Sequence, residues 1–157
     1  ASTNPYPHHK ILTKTIINNY TNNHLLPPPV KKKYSREHVL ILIFIYYFKS
    51  ILSIRDIETV LKPLTEKYFS GGSSLDLSSI YEEICGIEKD RVEPLKETVK
   101  AAYEKSLSAF PDLPDGEDRD ELKLFAFICS LSFDVYLKKA MIEKLIDELE
   151  DKKSEKN

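Results

Sequence analysis

Apolar residues recur along this chain at helical spacing, and the polar residues between them mark where helices start and stop. Ile16, Ile17 and Tyr20 fall at i, i+1 and i+4, which predicts a helix over 13–23 opened by Thr13 as N-cap. The spacing stops after His24. Pro27, Pro28 and Pro29 impose extended backbone there, and Leu25 and Leu26 can anchor the segment on a core. Ser35 then caps a helix whose first turn carries Glu37, at the end the helix dipole favours for an acid. Every residue from Val39 to Phe48 is apolar or aromatic. The β-branched content would suit a strand, but the length and the cap favour a helix buried all round, in the core or at a dimer interface. Ser53 caps the next helix, with Asp56 three residues on and an apolar stripe at Ile54, Ile57, Val60, Leu61 and Leu64. Pro63 should end or kink it.

Ser70-Gly71-Gly72-Ser73-Ser74 punctuates the chain as a flexible loop. Asp76 is placed to cap a helix running through Ile84. A second helix is expected over about 90–109, with Pro94 in its first turn, where the missing donor costs little. Phe110 to Gly116 reads as a loop. The last helix, Asp118 to Asp151, is the longest and carries more than one apolar stripe, so it should pack against a partner as well as its own core. This divides the chain into a tail or linker over 1–10, a first region over 11–69, a helical region over 75–151 and a disordered tail over 152–157.

Charge changes this picture more than composition does. With 41% hydrophobic and 31% charged residues the balance is ordinary, and the net charge is −2. Residues 1–62, however, hold nine Lys/Arg against three Asp/Glu, or +6, and the remainder holds fourteen against twenty-two, or −8. An anionic partner is therefore expected for the first region only. The ten-residue apolar run cannot span a bilayer, and the start, broken by Pro5 and Pro7, is no signal peptide, so a cytoplasmic location is expected. Cys85 and Cys129 have no metal or redox spacing and read as reduced, buried core thiols.

The candidate chemistry is that of binding. On the 13–23 helix, Lys14, Asn18, Thr21 and Asn22 lie opposite the apolar stripe, and Lys14, Thr15, Asn18, Asn19 and Asn22 are the candidate contacts. Asn can read adenine edges and Lys can contact phosphate, although a solvated Asn-rich face fits the same pattern. Lys31, Lys32 and Lys33, with Tyr34 and Arg36 beside them, are placed for phosphate contact or, more plainly, for solvent. No catalytic arrangement emerges. Glu82 and Glu83 are adjacent and point apart, His8 and His9 are a tail pair, and His24 and His38 read as surface or capping residues. The Gly71-Gly72 loop lacks the spacing of a phosphate-binding P-loop. No enzyme, cofactor or metal is expected.

The order TIINNY, LLPPP, YSREHVLIL, LSIRDIETVL resembles the MerR family of bacterial transcription regulators. Tyr20, Leu25, Leu26, Pro27, Tyr34, Ser35, Leu52, Ser53, Ile54 and Ile57 fall on its pattern in order. The match is closer still to an uncharacterised bacterial MerR-like branch, a domain of unknown function, in which the Leu-Pro-Pro-Pro-Val-Lys-Lys and Tyr-Ser-Arg-Glu-His runs recur. The resemblance covers about residues 11–62. It implies a mainly helical fold in which 11–69 forms a winged helix-turn-helix with a short β wing near Val30–Tyr34, followed by a helical dimerisation or effector region. It also implies a dimer that binds double-stranded DNA, here through Lys14, Thr15, Asn18, Asn19, Asn22, Lys31, Lys32, Lys33, Tyr34 and Arg36, and answers to an unidentified small-molecule or protein effector. The family's recognition-helix arginine is Asn18 here, and its glycine before Leu-Leu is His24. Its first helix is not visible in residues 1–10. A helical protein-interaction or small-molecule-sensing module, with an apolar pocket among Tyr103, Phe125 and Phe127, is the alternative.

Overall fold

The computed structural model describes residues 12–155. It is mainly helical, with α1 (Lys14–Asn22), α2 (Arg36–Phe48), α3 (Ile54–Lys67), α4 (Leu77–Leu107) and α5 (Glu117–Ser154). The tail expected at 1–10 lies outside the described residues. The chain divides into two compact units, residues 1–79 and 80–157.

The first unit is built on local signals that agree with one another. Thr13 Oγ1 accepts from the Ile16 N–H at 3.3 Å and opens α1. α1 closes with the Leu25 N–H on the Tyr20 carbonyl (2.9 Å) and the His24 N–H on the Thr21 carbonyl (3.2 Å), the paired bonds of a Schellman motif. His24 occupies the left-handed position of that motif, φ 60°, which usually falls to glycine. Tyr20 and Leu25, the apolar pair such a cap brings together, are both buried, and Leu26 beside them is fully enclosed. Burial pushes the Tyr20 phenol up from its ordinary value. Ser53 Oγ caps α3 by accepting from the Asp56 N–H at 3.1 Å. α3 packs on α2, burying Ile57 and Leu61 against a core that includes Ile41 and Ile45. Ile54, at the outer edge of the expected stripe, is half exposed. Pro63 neither ends nor opens α3, which continues to Lys67.

Two expectations need correcting here. α2 is not buried all round: Leu40, Ile41, Leu42 and Ile45 face the core, while Val39 and Tyr47 are 52% and 61% exposed. Among the described residues, the packing of α3 on α2 leaves this other side of α2 open. The short β wing is absent, since among the described residues there is no strand, only an isolated bridge between Val30 and Lys33. The prolines before it have no N–H to donate to a ladder, and α2 begins three residues after it, so neither strand has room to grow. The winged architecture is thus reduced to a tight turn between helices.

The second unit is an antiparallel helical hairpin. Asp76 caps α4, its Oδ1 accepting the Ser79 N–H at 2.7 Å. α4 then runs without a break from Leu77 to Leu107, where the sequence predicts two helices, and Pro94 sits in its interior rather than in a first turn. Good helix formers on both sides carry the helix past the one missing donor. Tyr103 on α4 meets Phe127 on α5 edge to face, with ring centroids 5.4 Å apart. The thiols correct a further expectation: Cys85 is half-buried and Cys129 is exposed. Two helices alone cannot enclose a core, so the apolar stripes of α5 stay largely uncovered.

Candidate nucleic-acid interface

α1 fixes the first part of the candidate surface. At 100° per residue, Lys14, Asn18, Asn22, Thr15 and Asn19 fall within one arc of about 140°. Ile16, Ile17 and Tyr20 fall on the opposite side. All five polar residues are exposed. Of the neighbouring polar groups, Thr21 is turned back into the helix, its Oγ1 donating to the Ile17 carbonyl at 3.2 Å. Asn19 retains its side chain for the surface, while its carbonyl takes the Asn23 Nδ2 at 2.8 Å.

The lysines form the second part. Lys31 and Lys32 have φ of 48° and 62°, and the Lys33 N–H donates to the Val30 carbonyl at 2.9 Å. Two central residues at positive φ closed by that bond make a turn of the I′ type, which Asn-Gly usually occupies because side chains disfavour the left-handed region. Here two lysines hold it. Lys31, Lys32 and Lys33 are exposed, and among the described residues no carboxylate lies within ion-pair distance of them. The sequence places no acid between Ala1 and Arg36, so a local concentration of positive charge is left for the solvent or a ligand. Arg36 and Tyr34, on either side of the Ser35 cap, are also exposed. The Glu37 carboxyl is held below its ordinary range, first by the Ser35 hydroxyl, then by its own backbone N–H and by Arg36. Asp76 is lowered likewise, mainly by the Ser79 backbone and side chain, with Arg36 adding to the effect.

His38 is the residue that the sequence undervalues, since its position suggests only a surface or capping side chain. It does cap, its Nδ1 taking the Ser35 backbone N–H at 2.9 Å, but its ring is 2% exposed. Its Nε2 lies 3.3 Å from the Pro28 carbonyl, and its edges meet the Tyr34 and Phe69 rings at 5.3 and 4.7 Å. A signal for this is present: His38 stands three residues after the N-cap, where a capping box takes Glu or Gln.

Among the clefts of the second unit, two bear on the expected apolar pocket. One, of about 400 Å³, is lined by Ile87, Arg91, Pro94 and Lys138 among others. The other, of about 250 Å³, includes Tyr103, Ser106, Lys123 and Phe127. Phe125, expected with Tyr103 and Phe127, does not line it and is 59% exposed. Among the described residues no group of three or more His, Cys, Asp or Glu is placed to hold a metal ion, and no helix is long and apolar enough to cross a membrane.

A helical protein with a cationic turn and a polar helix face is what the fold and surface define. By sequence the chain belongs to a family described as a domain of unknown function, DUF1836, whose model matches residues 2–84, just over half its length. No curated protein and no solved structure matches it.

Proposed function

We propose that this chain is a DNA-binding transcriptional regulator of the MerR-like type that acts as a dimer. The observation that carries the reading is the lysine turn. A chain does not hold two lysines in the left-handed region for stability, at about 1–2 kcal/mol each against an ordinary conformation. Strain of this kind collects where a side chain must be presented. The turn sets Lys31 and Lys32 at its tip, with Lys33 and Arg36 behind, for the phosphate backbone. The Lys14, Asn18 and Asn22 arc of α1 supplies a face that can enter the major groove and bond base edges.

The dimer reading is supported by the second unit. On α5 ten large apolar side chains, from Leu124 to Leu149, are 43–67% exposed. They lie all round the helix, and Leu137, Met141, Leu145 and Leu149 form one continuous stripe of them that a second copy could cover.

Duplex DNA binding by the full chain, measured by fluorescence anisotropy across a salt series, tests the reading. Affinity should fall linearly with the logarithm of salt, with a slope of several units. A chain with no measurable affinity for duplex DNA at low salt would leave the fold as a protein-interaction or small-molecule-sensing module.

A further inference from the structure

The lysine turn hangs on the segment from Pro28 to Ser35, and one imidazole bridges the two ends of that segment. His38 Nε2 lies 3.3 Å from the Pro28 carbonyl oxygen, and Nδ1 lies 2.9 Å from the Ser35 backbone nitrogen. The carbonyl can only accept and the backbone N–H can only donate. These two contacts are satisfied together by the neutral ring with its proton on Nε2, and the Ser35 hydroxyl, also 2.9 Å from Nδ1, can share that acceptor. The ring cannot turn away, because it is buried and held edge-on by Tyr34 on one side and Phe69 on the other.

We infer that His38 is the positioning residue of the lysine turn: its neutral ring ties the entry of the turn at Pro28 to its exit at Ser35, so that Lys31, Lys32 and Lys33 are presented to a polyanion already ordered. The value of this order for binding rests on the reading of those lysines as phosphate contacts; the clamp itself does not. A preordered turn spares the entropy of fixing it on association. Loss of the clamp leaves every charge in place. It therefore weakens binding without changing how many phosphates are met.

The test uses the full chain and two kinds of measurement. In the unbound protein, nitrogen NMR should find His38 protonated on Nε2 and bare on Nδ1, with the Ser35 amide protected from exchange. His38→Phe keeps a ring between Tyr34 and Phe69 without either hydrogen bond. It should expose the Ser35 amide and raise the mobility of the Lys31–Lys33 backbone. Its affinity for duplex DNA should fall about three- to tenfold, the cost of ordering one or two side chains, with the salt slope unchanged. His38→Asn, whose side-chain oxygen can stand in for Nδ1, should restore protection at Ser35. A wild-type ring protonated on Nδ1, or a Ser35 amide that exchanges freely, overturns the clamp even if His38→Phe does not fold. So does a folded His38→Phe variant whose turn is as rigid as the wild type. If the wild-type chain does not bind DNA, the phosphate reading falls, and the ring and amide measurements still decide the clamp.

Discussion

Replacing Lys31 by Asn and Lys32 by Gly should make the protein more stable and a weaker DNA binder at once. The two lysines sit at φ 48° and 62°, where a side chain costs about 1–2 kcal/mol. Asn tolerates that region, and Gly occupies it freely. Part of the relief is returned, because glycine widens the unfolded ensemble by about 0.4–1 kcal/mol. The net gain should be about 1 kcal/mol, or about 2–4 °C in Tm for a chain of this size. Urea unfolding followed by circular dichroism measures it. Binding moves the other way. With four fewer lysines on phosphate, two from each copy of the dimer, the log–log salt slope should fall by about 3.6, at about 0.9 per phosphate. Two controls separate strain from charge. Lys31→Arg with Lys32→Arg keeps both and should change neither quantity. Lys33→Gln removes charge from the residue after the turn in each copy, so it should reduce the slope by about 1.8 with no gain in stability. A double variant that is less stable would refute the strain argument. One that is more stable but keeps the full slope would refute the phosphate argument, since the lysines would then be strained for some other purpose.

His24→Gly relieves the same strain at the end of α1, so it should stabilise by about 0.5–1 kcal/mol in urea unfolding and leave DNA affinity unchanged; a loss of stability would mean that the His24 side chain makes contacts of its own. Asp76 and Glu37 are both held low in the folded chain. The stability they contribute is thus complete above the ordinary carboxylate values near pH 4 and drains away as the pH falls through their lowered folded values. Asp76→Asn keeps a capping side chain that does not titrate, so its loss of stability between about pH 5 and about pH 2.5 should be smaller than that of the wild type, and equal losses would remove Asp76 from the acid response. In a Cys85→Ser background, Cys129, exposed on α5 beside Phe125, Phe133 and Tyr136, should react with a thiol reagent quickly at nanomolar protein and slowly at tens of micromolar. A rate independent of concentration would mean that no second copy covers this face.

The helices are legible because their ends are written in single residues. Thr13, Ser35, Ser53 and Asp76 all stand where helices begin, and Leu25 and Leu26 are as buried as their place before three prolines implies. What misleads is any inference from a local signal to a global environment. Val39 to Phe48 is apolar throughout, and apolarity says that a residue would gain from burial, not that the chain has a neighbour to bury it. Pro94 removes one hydrogen bond from a helix of thirty-one residues, too little to break it when both flanks are strong helix formers. The lysine turn is invisible for a different reason. Turn type is read from Gly and Asn, and Val30-Lys-Lys-Lys33 contains neither. His38 escapes because a capping position, taken alone, says nothing of the partners that lie outside its own helix, Pro28 and Phe69.

The exposed stripe of α5 bears on binding as well as on assembly. Leu137, Met141, Leu145 and Leu149 repeat at i+4 and are 44%, 65%, 59% and 43% exposed. In a single chain, charges at two of these positions would be close to neutral, since exposed sites away from special contacts usually change stability by less than about 0.5 kcal/mol. Met141→Glu with Leu145→Glu therefore tests the partner and not the fold. If two copies meet on this stripe, four buried carboxylates face one another, and the variant should run as a monomer in sedimentation while keeping its helicity. Its DNA affinity should fall much further than its unaltered lysines suggest. A dimer makes the second lysine turn's contact intramolecular, which raises overall affinity by about 10²–10⁴ when the geometry allows both to engage. The salt slope should also fall to about half, because one turn now binds where two did. A variant that remains dimeric would place the interface elsewhere. A monomer that binds DNA as tightly as the wild type would show that a single lysine turn and a single α1 face suffice.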